Sequence, residues 1–293
     1  MHVHLVDGTY ELFRHHFAVP SHLDDDGIEV AAVRGVLGSV LMMLEQGATH
    51  VGVATDHVIE SFRNDLWGGY KSSEGVPPEL LTQFPLLEDG LRALGVTVWP
   101  MVELEADDAM ASAAAVARAD SRVERVLICT PDKDLGQCVE DPIVVQMDRR
   151  RDGKLIDEAG VRERFGVAPA SIPDYLALVG DSADGFPGLP GWGAKSTAIV
   201  LSRYGHLDAI PDNARDWDVE VRGAAKLAST LAAARPAAAL FLDLATLRTN
   251  AEVGVVDDWE WRGPAAELER WAERLGADNL VARANRVAKK RES

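Results

Sequence analysis

The chain has 293 residues, 47% of them hydrophobic and 26% charged, which excludes a disordered polyelectrolyte and suits one large globular domain or one with a small satellite. Its formal charge of −17 at pH 7 excludes a surface that attracts phosphate everywhere, but not a local basic groove or carboxylates that hold cations. With two cysteines, Cys129 and Cys138, no apolar run of roughly 18 residues and no basic-then-apolar N-terminus, neither a disulfide framework, a membrane span nor a signal peptide is expected, and a reducing cytoplasm is.

In chain order, residues 2–6 (HVHLV) read as a strand that exits on Asp7. Residues 32–47 have helical apolar spacing with a glycine stop, and HVGVATD (50–56) is a second strand that exits on Asp56. After a Gly/Ser/Pro-interrupted stretch at 67–78 come a helix at 79–94, a strand near 96–99 and an alanine-rich helix at 106–119 with an acidic first turn. RVLICT (125–130) is a further strand, with Cys129 as a small core residue, and runs into PDKDL. Strands alternating with helices at these lengths predict a parallel sheet covered on both faces, with ligands bound beyond the carboxyl ends of the strands. From about residue 160 the pattern turns helical. A helix over 171–181 capped by Ser171, a Gly/Pro-dense turn, a helix over 194–205, alanine-rich helix over 223–246, a strand-like piece at 252–256, a helix over 264–275 and a basic tail are expected.

The chemistry lies in acids at element ends: Asp7, Asp56, Glu105, Asp107, Asp108, Asp132, Asp134, Asp181 and Asp184. Singly, each suits a solvated turn or a helix N-cap, and Asp107 and Asp108 suit a helix first turn on dipole grounds. As a set they mean something else. Several strand exits deliver acids to one edge of the sheet, and converging carboxylates repel unless a cation neutralises them. Oxygen ligands without His or Cys at ligand spacing suit Mg²⁺ or Mn²⁺ and disfavour zinc. Two divalent ions in a carboxylate pocket are a recurrent solution for phosphodiester hydrolysis. A phosphotransferase of the haloacid-dehalogenase type is excluded, because Leu5 stands where its D-x-D-G-T pattern needs the nucleophilic Asp.

Six motifs, LVDGTYELFR, ATDHVIESFRNDLWGGYK, ELEADD, TPDKDL, LALVGDSADGFPGLPGWGAKSTA and LATLRT, run in order from the N-terminus to about residue 250. In these the chain resembles the 5′→3′ exonuclease domain of bacterial DNA polymerase I and the related flap endonucleases. The resemblance implies an α/β, PIN-like domain with a central, mostly parallel sheet flanked by helices, followed by a helix–three-turn–helix element that grips duplex DNA. It places the catalytic domain at 1–168 (an arch at about 64–90), the DNA-binding subdomain at 169–260 and a C-terminal helix with basic tail at 261–293. It makes all nine acids the metal cluster for two or more Mg²⁺ or Mn²⁺ ions. Glu105, Asp107, Asp108 and Asp132 would lie nearer the first ion and Asp134, Asp181 and Asp184 nearer the second, with Asp107 shared and Asp7 and Asp56 acting through water. Arg14, Arg63 and Lys71 would approach the scissile phosphate. Phe13 would stack on a base. Gly188, Gly191, Gly193, Lys195 and Ser196 would bind the duplex backbone in a turn that also holds K⁺.

Four departures leave every metal position intact: Glu74 where the family has Arg after YK, Thr55 before Asp56, Gly185 after Asp184 where the family has Asn, and Pro131 in the turn before Asp132. The first removes a phosphate contact from the arch. With no polymerase sequence following, a stand-alone, monomeric nuclease of replication or repair is expected, acting on DNA with 5′ ends, flaps or branches. RNA primers are the alternative substrate, and a binding protein for branched DNA that has lost catalysis is the alternative of a different class.

Overall fold

The structure, a computed structural model, describes residues 1–151 and 153–292, with the Glu292 side chain outside the description. Residues divide into two compact units, one of 1–59, 73–130 and 249–293, the other of 60–72 and 131–248.

The first unit holds four parallel strands, β1 (His2–Asp7), β2 (His50–Asp56), β3 (Thr97–Met101) and β4 (Arg125–Cys129), in the order β3-β2-β1-β4. Val6 of β1 registers with Val53 of β2 and Cys129 of β4, all three buried, so the carboxyl ends of these strands share one edge. Side chains alternate across a strand. Accordingly Thr55 reaches the helix Gln83–Ala93 while Asp56 reaches the start of the helix Ala106–Ala119. The helices Gly8–Ala18, Ala31–Glu45 and Gln83–Ala93 pack against one another, and Ala106–Ala119 packs across all four strands. Gly52 is required because Trp99 lies over it, 2.0 Å from where a Cβ would stand.

The expected tail after residue 280 is a helix, Leu280–Glu292, held to the first unit by its arginines. Arg283 pairs with Glu45 through both carboxylate oxygens, at 2.9 and 2.7 Å. Arg291 donates to the carbonyls of Leu44, Ala48 and Trp261, which ties the last helix to the end of the helix Ala31–Glu45 and to residue 261. No strand forms at 252–256. The carbonyl of Val253 instead accepts from the indoles of Trp99 and Trp259, so the segment is fixed by side chains rather than by a ladder. The helix expected over 264–275 is shorter than its apolar spacing suggests, Leu268–Arg274.

The second unit is mainly helical around a core that includes Tyr70, Ile172, Leu176, Phe186, Trp192, Leu231 and Phe241. It also carries an antiparallel pair, β5 (Val144–Asp148) with β6 (Lys154–Ile156), and a helix Glu158–Phe165, none of which the apolar pattern announced. That helix is short, but its end signals are present: Asp157 accepts from Gly160 N–H at 2.8 Å, and Gly166 closes it at φ 73°. Ser171 stands at the N-cap of the helix Ile172–Val179 without making a side-chain cap bond, contrary to expectation. The alanine-rich stretch breaks at Ala234 into Ala224–Ala233 and Arg235–Ala245, bent by 82°. Pro236 explains the break, since it has no N–H to donate and restricts the residue before it. Among the described residues, no single helix is long and apolar enough to cross a membrane.

Candidate metal centre

Each unit presents its own group of acids. In the first, β1 ends on Asp7, which caps the helix Gly8–Ala18: one carboxylate oxygen accepts from Tyr10 N–H at 2.7 Å and the other from the Thr130 hydroxyl at 3.0 Å. Gly8 permits this abrupt strand-to-helix turn, because a Cβ there would stand 2.8 Å from the carbonyl oxygen of Ala54 on the neighbouring strand. Asp56 is fixed from both sides. Its N–H donates to the Thr9 hydroxyl at 2.8 Å, and its carboxylate accepts from Ala106 N–H at 2.7 Å. Asp108, fully buried, accepts from Glu105 N–H at 3.0 Å, while Asp107 beside it is half-buried. Glu105 is buried as well. Asp7 is thus a helix N-cap, Asp108 closes a capping box from the third helical position, and Asp56 accepts from the first amide of the same helix.

In the second unit, Asp134, Asp181 and Asp184 each bring a carboxylate oxygen within 4.8 Å of the other two. Local geometry explains how two of them are aimed. Gly180 at φ 88° and Gly188 at φ 68° let the strands of the 180–188 turn lie against each other; a Cβ on Gly188 would meet the Gly180 nitrogen at 2.3 Å. The turn closes through Asp181 N–H to Phe186 C=O at 2.8 Å and Leu189 N–H to Leu178 C=O at 2.8 Å. Segment 67–71 seals it from outside: the Trp67 indole donates to Gly185 C=O at 3.0 Å, and Lys71 N–H donates to Asp184 C=O at 3.0 Å. Gly188→Ala is expected to cost at least about 2 kcal/mol, from the left-handed backbone and the backbone clash together. Urea unfolding of the variant checks this.

The electrostatics of the trio are those of a cation site. Burial pushes the Asp134 carboxyl well above the usual range, and Asp132, Asp184 and Asp181 add repulsion that Lys133 only partly offsets. One carboxylate oxygen of Asp134 is buried without a hydrogen-bond partner. Lys133 stands 2.5 Å from an Asp181 oxygen; burial alone would lower its pKa, but the surrounding acids raise it. Three largely buried carboxylates, one with an unused oxygen, make a hard donor set that fits a divalent ion of the Mg²⁺ or Mn²⁺ type. Asp132 is tied in through its carboxylate, which accepts from Asp134 N–H at 2.9 Å, and its carbonyl, which accepts from Gln146 at 2.6 Å.

Among the expected cations, Lys71 reaches Asp184 at 3.5 Å. Arg14 is half-exposed and bound to Glu11 at 2.5 Å. Arg63, expected to approach a phosphate, is 1% exposed, and its guanidinium donates to the carbonyls of Leu244 at 2.9 Å and Thr246 at 3.2 Å. Phe13 is half-buried with its ring against Phe84 and Phe17. In the 188–196 turn the three glycines have different reasons. Gly188 and Gly191 need positive φ, whereas Gly193 has φ −110° and open space where a Cβ would be. Gly193 caps the helix Ala194–Tyr204; the Ser196 hydroxyl folds back onto the Gly193 carbonyl at 3.0 Å, and Lys195 is exposed. Sequence reasoning missed Thr130 and Lys133 as partners of the acids. Lys133 carried a signal, a cation between two acids in PDKDL; the Thr130 bond to Asp7 spans 123 residues and carried none.

Fold and acids together define a resolvase-like α/β domain followed by a helical domain of the SAM fold. The model of the 5′-3′ exonuclease N-terminal resolvase-like domain matches residues 2–166, and that of the 5′-3′ exonuclease C-terminal SAM fold matches 167–267. The chain belongs to the 5′-3′ exonuclease family. It is 34% identical over 265 residues to DNA polymerase I of Pseudomonas aeruginosa, covering 87% of this chain and 28% of that one. Against DNA polymerase I of Bacillus caldotenax it is 33% identical over 270 residues, covering 90% and 30%. The chain thus spans less than a third of the length of these relatives. Among solved structures, the T5 D15 protein co-crystallised with metal ions shares the fold at a TM-score of 0.65, with 17% identity and 99% of each chain covered. The catalytic core of Rad2 in complex with DNA substrate shares it at 0.62, with 15% identity and 97% and 91% covered.

Proposed function

We propose that this chain hydrolyses DNA phosphodiesters from or near 5′ ends, flaps included, with two or more Mg²⁺ or Mn²⁺ ions held by Asp7, Asp56, Glu105, Asp107, Asp108, Asp132, Asp134, Asp181 and Asp184. The observation that carries the reading is the convergence of Asp134, Asp181 and Asp184 with a buried carboxylate oxygen left unbonded. Divalent ions supply a hydroxide at neutral pH and neutralise charge on the attacked phosphate and the leaving oxygen. The chain's own part is to aim the carboxylates and to bring cations to the phosphate. Lys71 and Arg14, both partly exposed, take the second role. Arg63 serves from below, by anchoring residues 244–246 through their carbonyls. Phe13 stacks on a base near the cleavage point.

The 188–196 turn binds the duplex backbone through the helix N-terminus at Gly193, where the backbone is exposed, with Lys195 adding charge. A K⁺ ion in the same turn is supported by the Thr197 hydroxyl, buried one turn into that helix with no hydrogen-bond partner. An acidic chain can hold DNA in this way, through backbone dipoles, bound cations and a few placed side chains. Lys195→Ala is expected to weaken duplex binding with little sequence dependence and to reduce the slope of log K against log salt by about one; titrations at several salt concentrations check it. The sequence division at 168 and 260, a monomeric state, a cytoplasmic location and a replication or repair role belong to the same reading.

The test is a labelled 5′-flap duplex incubated with Mg²⁺ or Mn²⁺, then with chelator, beside single-stranded, blunt and RNA-primed substrates. Flap cleavage that the chelator stops supports the reading. Retarded migration without cleavage under either metal would overturn it in favour of a binding protein, and cleavage confined to the RNA-primed substrate would redirect it to RNA.

A further inference from the structure

Glu88 lies on the helix Gln83–Ala93 and is 3% exposed, on a face otherwise lined by Phe84, Leu87 and Leu91. A carboxylate is costly there, and an apolar side chain would fill the same space. Its partners are specific. The Thr55 hydroxyl donates to one Glu88 oxygen at 2.8 Å, and the His57 Nδ1 lies 3.1 and 2.9 Å from the two oxygens. Thr55 and His57 are the two neighbours of Asp56. Because side chains alternate, Glu88 grips the chain on one face of β2 directly behind the residue that projects from the other. The backbone on either side is also pinned, by Asp56 N–H to the Thr9 hydroxyl and by Val58 N–H to the Met101 carbonyl at 3.2 Å.

We propose that Glu88 is a positioning residue for Asp56: by holding Thr55 and His57 it fixes the pitch of the strand end and hence the aim of the Asp56 carboxylate at a divalent ion. The inference rests on the reading of Asp56 as a metal-holding residue. It explains why a buried acid is placed on an apolar helix face where, among the described residues, its hydrogen-bond partners are a hydroxyl and an imidazole. It also gives Thr55 and His57, which the motif comparison left as departures or without a role, a common purpose. Outer partners of this kind typically matter 10–100-fold for metal affinity or activity.

The experiment measures Mn²⁺ binding calorimetrically on the full chain without DNA, and the Mn²⁺ concentration that half-saturates flap cleavage, for wild type, Glu88→Ala, Glu88→Gln and Thr55→Val. The expected result for Glu88→Ala is Mn²⁺ binding weaker by about 10–100-fold and a matching rise in half-saturating Mn²⁺, with maximal cleavage regained in excess metal. Glu88→Gln, which keeps an oxygen for the Thr55 hydroxyl, restores most of the loss. In an Asp56→Ala background the Glu88 change has no further effect on Mn²⁺ binding. Folded Glu88→Ala with wild-type Mn²⁺ binding, or an effect that persists without Asp56, would overturn the inference. Should Glu88→Ala fail to fold, Thr55→Val decides: weakened Mn²⁺ binding supports the clamp and unchanged binding overturns it. If wild-type protein binds Mn²⁺ but cleaves no flap, only the functional reading fails; if it binds no Mn²⁺, both do.

Discussion

Asp181→Asn is expected to reduce Mg²⁺-dependent flap cleavage on the order of a thousandfold, the equivalent of about 4 kcal/mol of transition-state stabilisation, while leaving DNA binding intact or slightly tighter. The asymmetry follows from where Asp181 sits. It is one of three carboxylates whose oxygens lie within 4.8 Å of one another, so replacing it removes a full charge from the proposed cation site. The same replacement removes a negative charge that repels an approaching phosphate. Backbone geometry should survive, because asparagine can still accept from Ala183 N–H, which Asp181 does at 2.9 Å. Single-turnover cleavage and gel retardation on one flap substrate separate the two effects. Unchanged cleavage would remove Asp181 from the site.

Asp134→Asn is expected to abolish cleavage as well, and at the same time to stabilise the metal-free fold. Burial and the neighbouring acids raise the Asp134 pKa above its unfolded value, so at neutral pH its ionised form opposes folding. Between the unfolded pKa, about 4, and the raised folded pKa, the native state binds more protons than the unfolded one, and stability falls as pH rises. The asparagine variant lacks this loss. With chelator present, its melting temperature should exceed that of the wild type at neutral pH, and the gap should close as pH falls to about 4, where both side chains are neutral. Mn²⁺ should also narrow the gap, because it stabilises only the form that binds it. Thermal melts at several pH values with and without Mn²⁺ check this. A variant less stable than wild type at neutral pH in chelator would show that Asp134 is stabilised rather than strained.

The second expectation describes an acid that lowers the stability of the fold around it. A buried Asp134 carboxylate beside other acids raises the free energy of the protein when ionised, and the chain keeps the acids in place partly by backbone means. The Gly180–Gly188 contact aims Asp181 and Asp184, and the Thr130 hydroxyl and the Ala106 amide hold Asp7 and Asp56. These constraints involve no titrating partner, so they persist whichever charge state the acids adopt.

The amino-acid sequence by itself determined the alternation of strands and helices through residue 130, the acids at the strand ends, and the Gly/Pro turn before the helix Ala194–Tyr204. Those features are local: they depend on apolar period, caps and glycine positions within a dozen residues. It failed where partners far along the chain decide the outcome. Segment 252–256 looked like a strand by composition, but its carbonyl at Val253 is taken by two indoles, one of them 154 residues away in sequence. The family resemblance made Arg63 a phosphate ligand, but it is buried against carbonyls 181 and 183 residues on. Only the tertiary structure decided which acids share a charge environment, that Lys133 sits among them, and that Glu88 stands behind Asp56. The reason is physical: a carboxylate's energy depends on burial and on charges within a few ångströms, and the fold alone sets those distances.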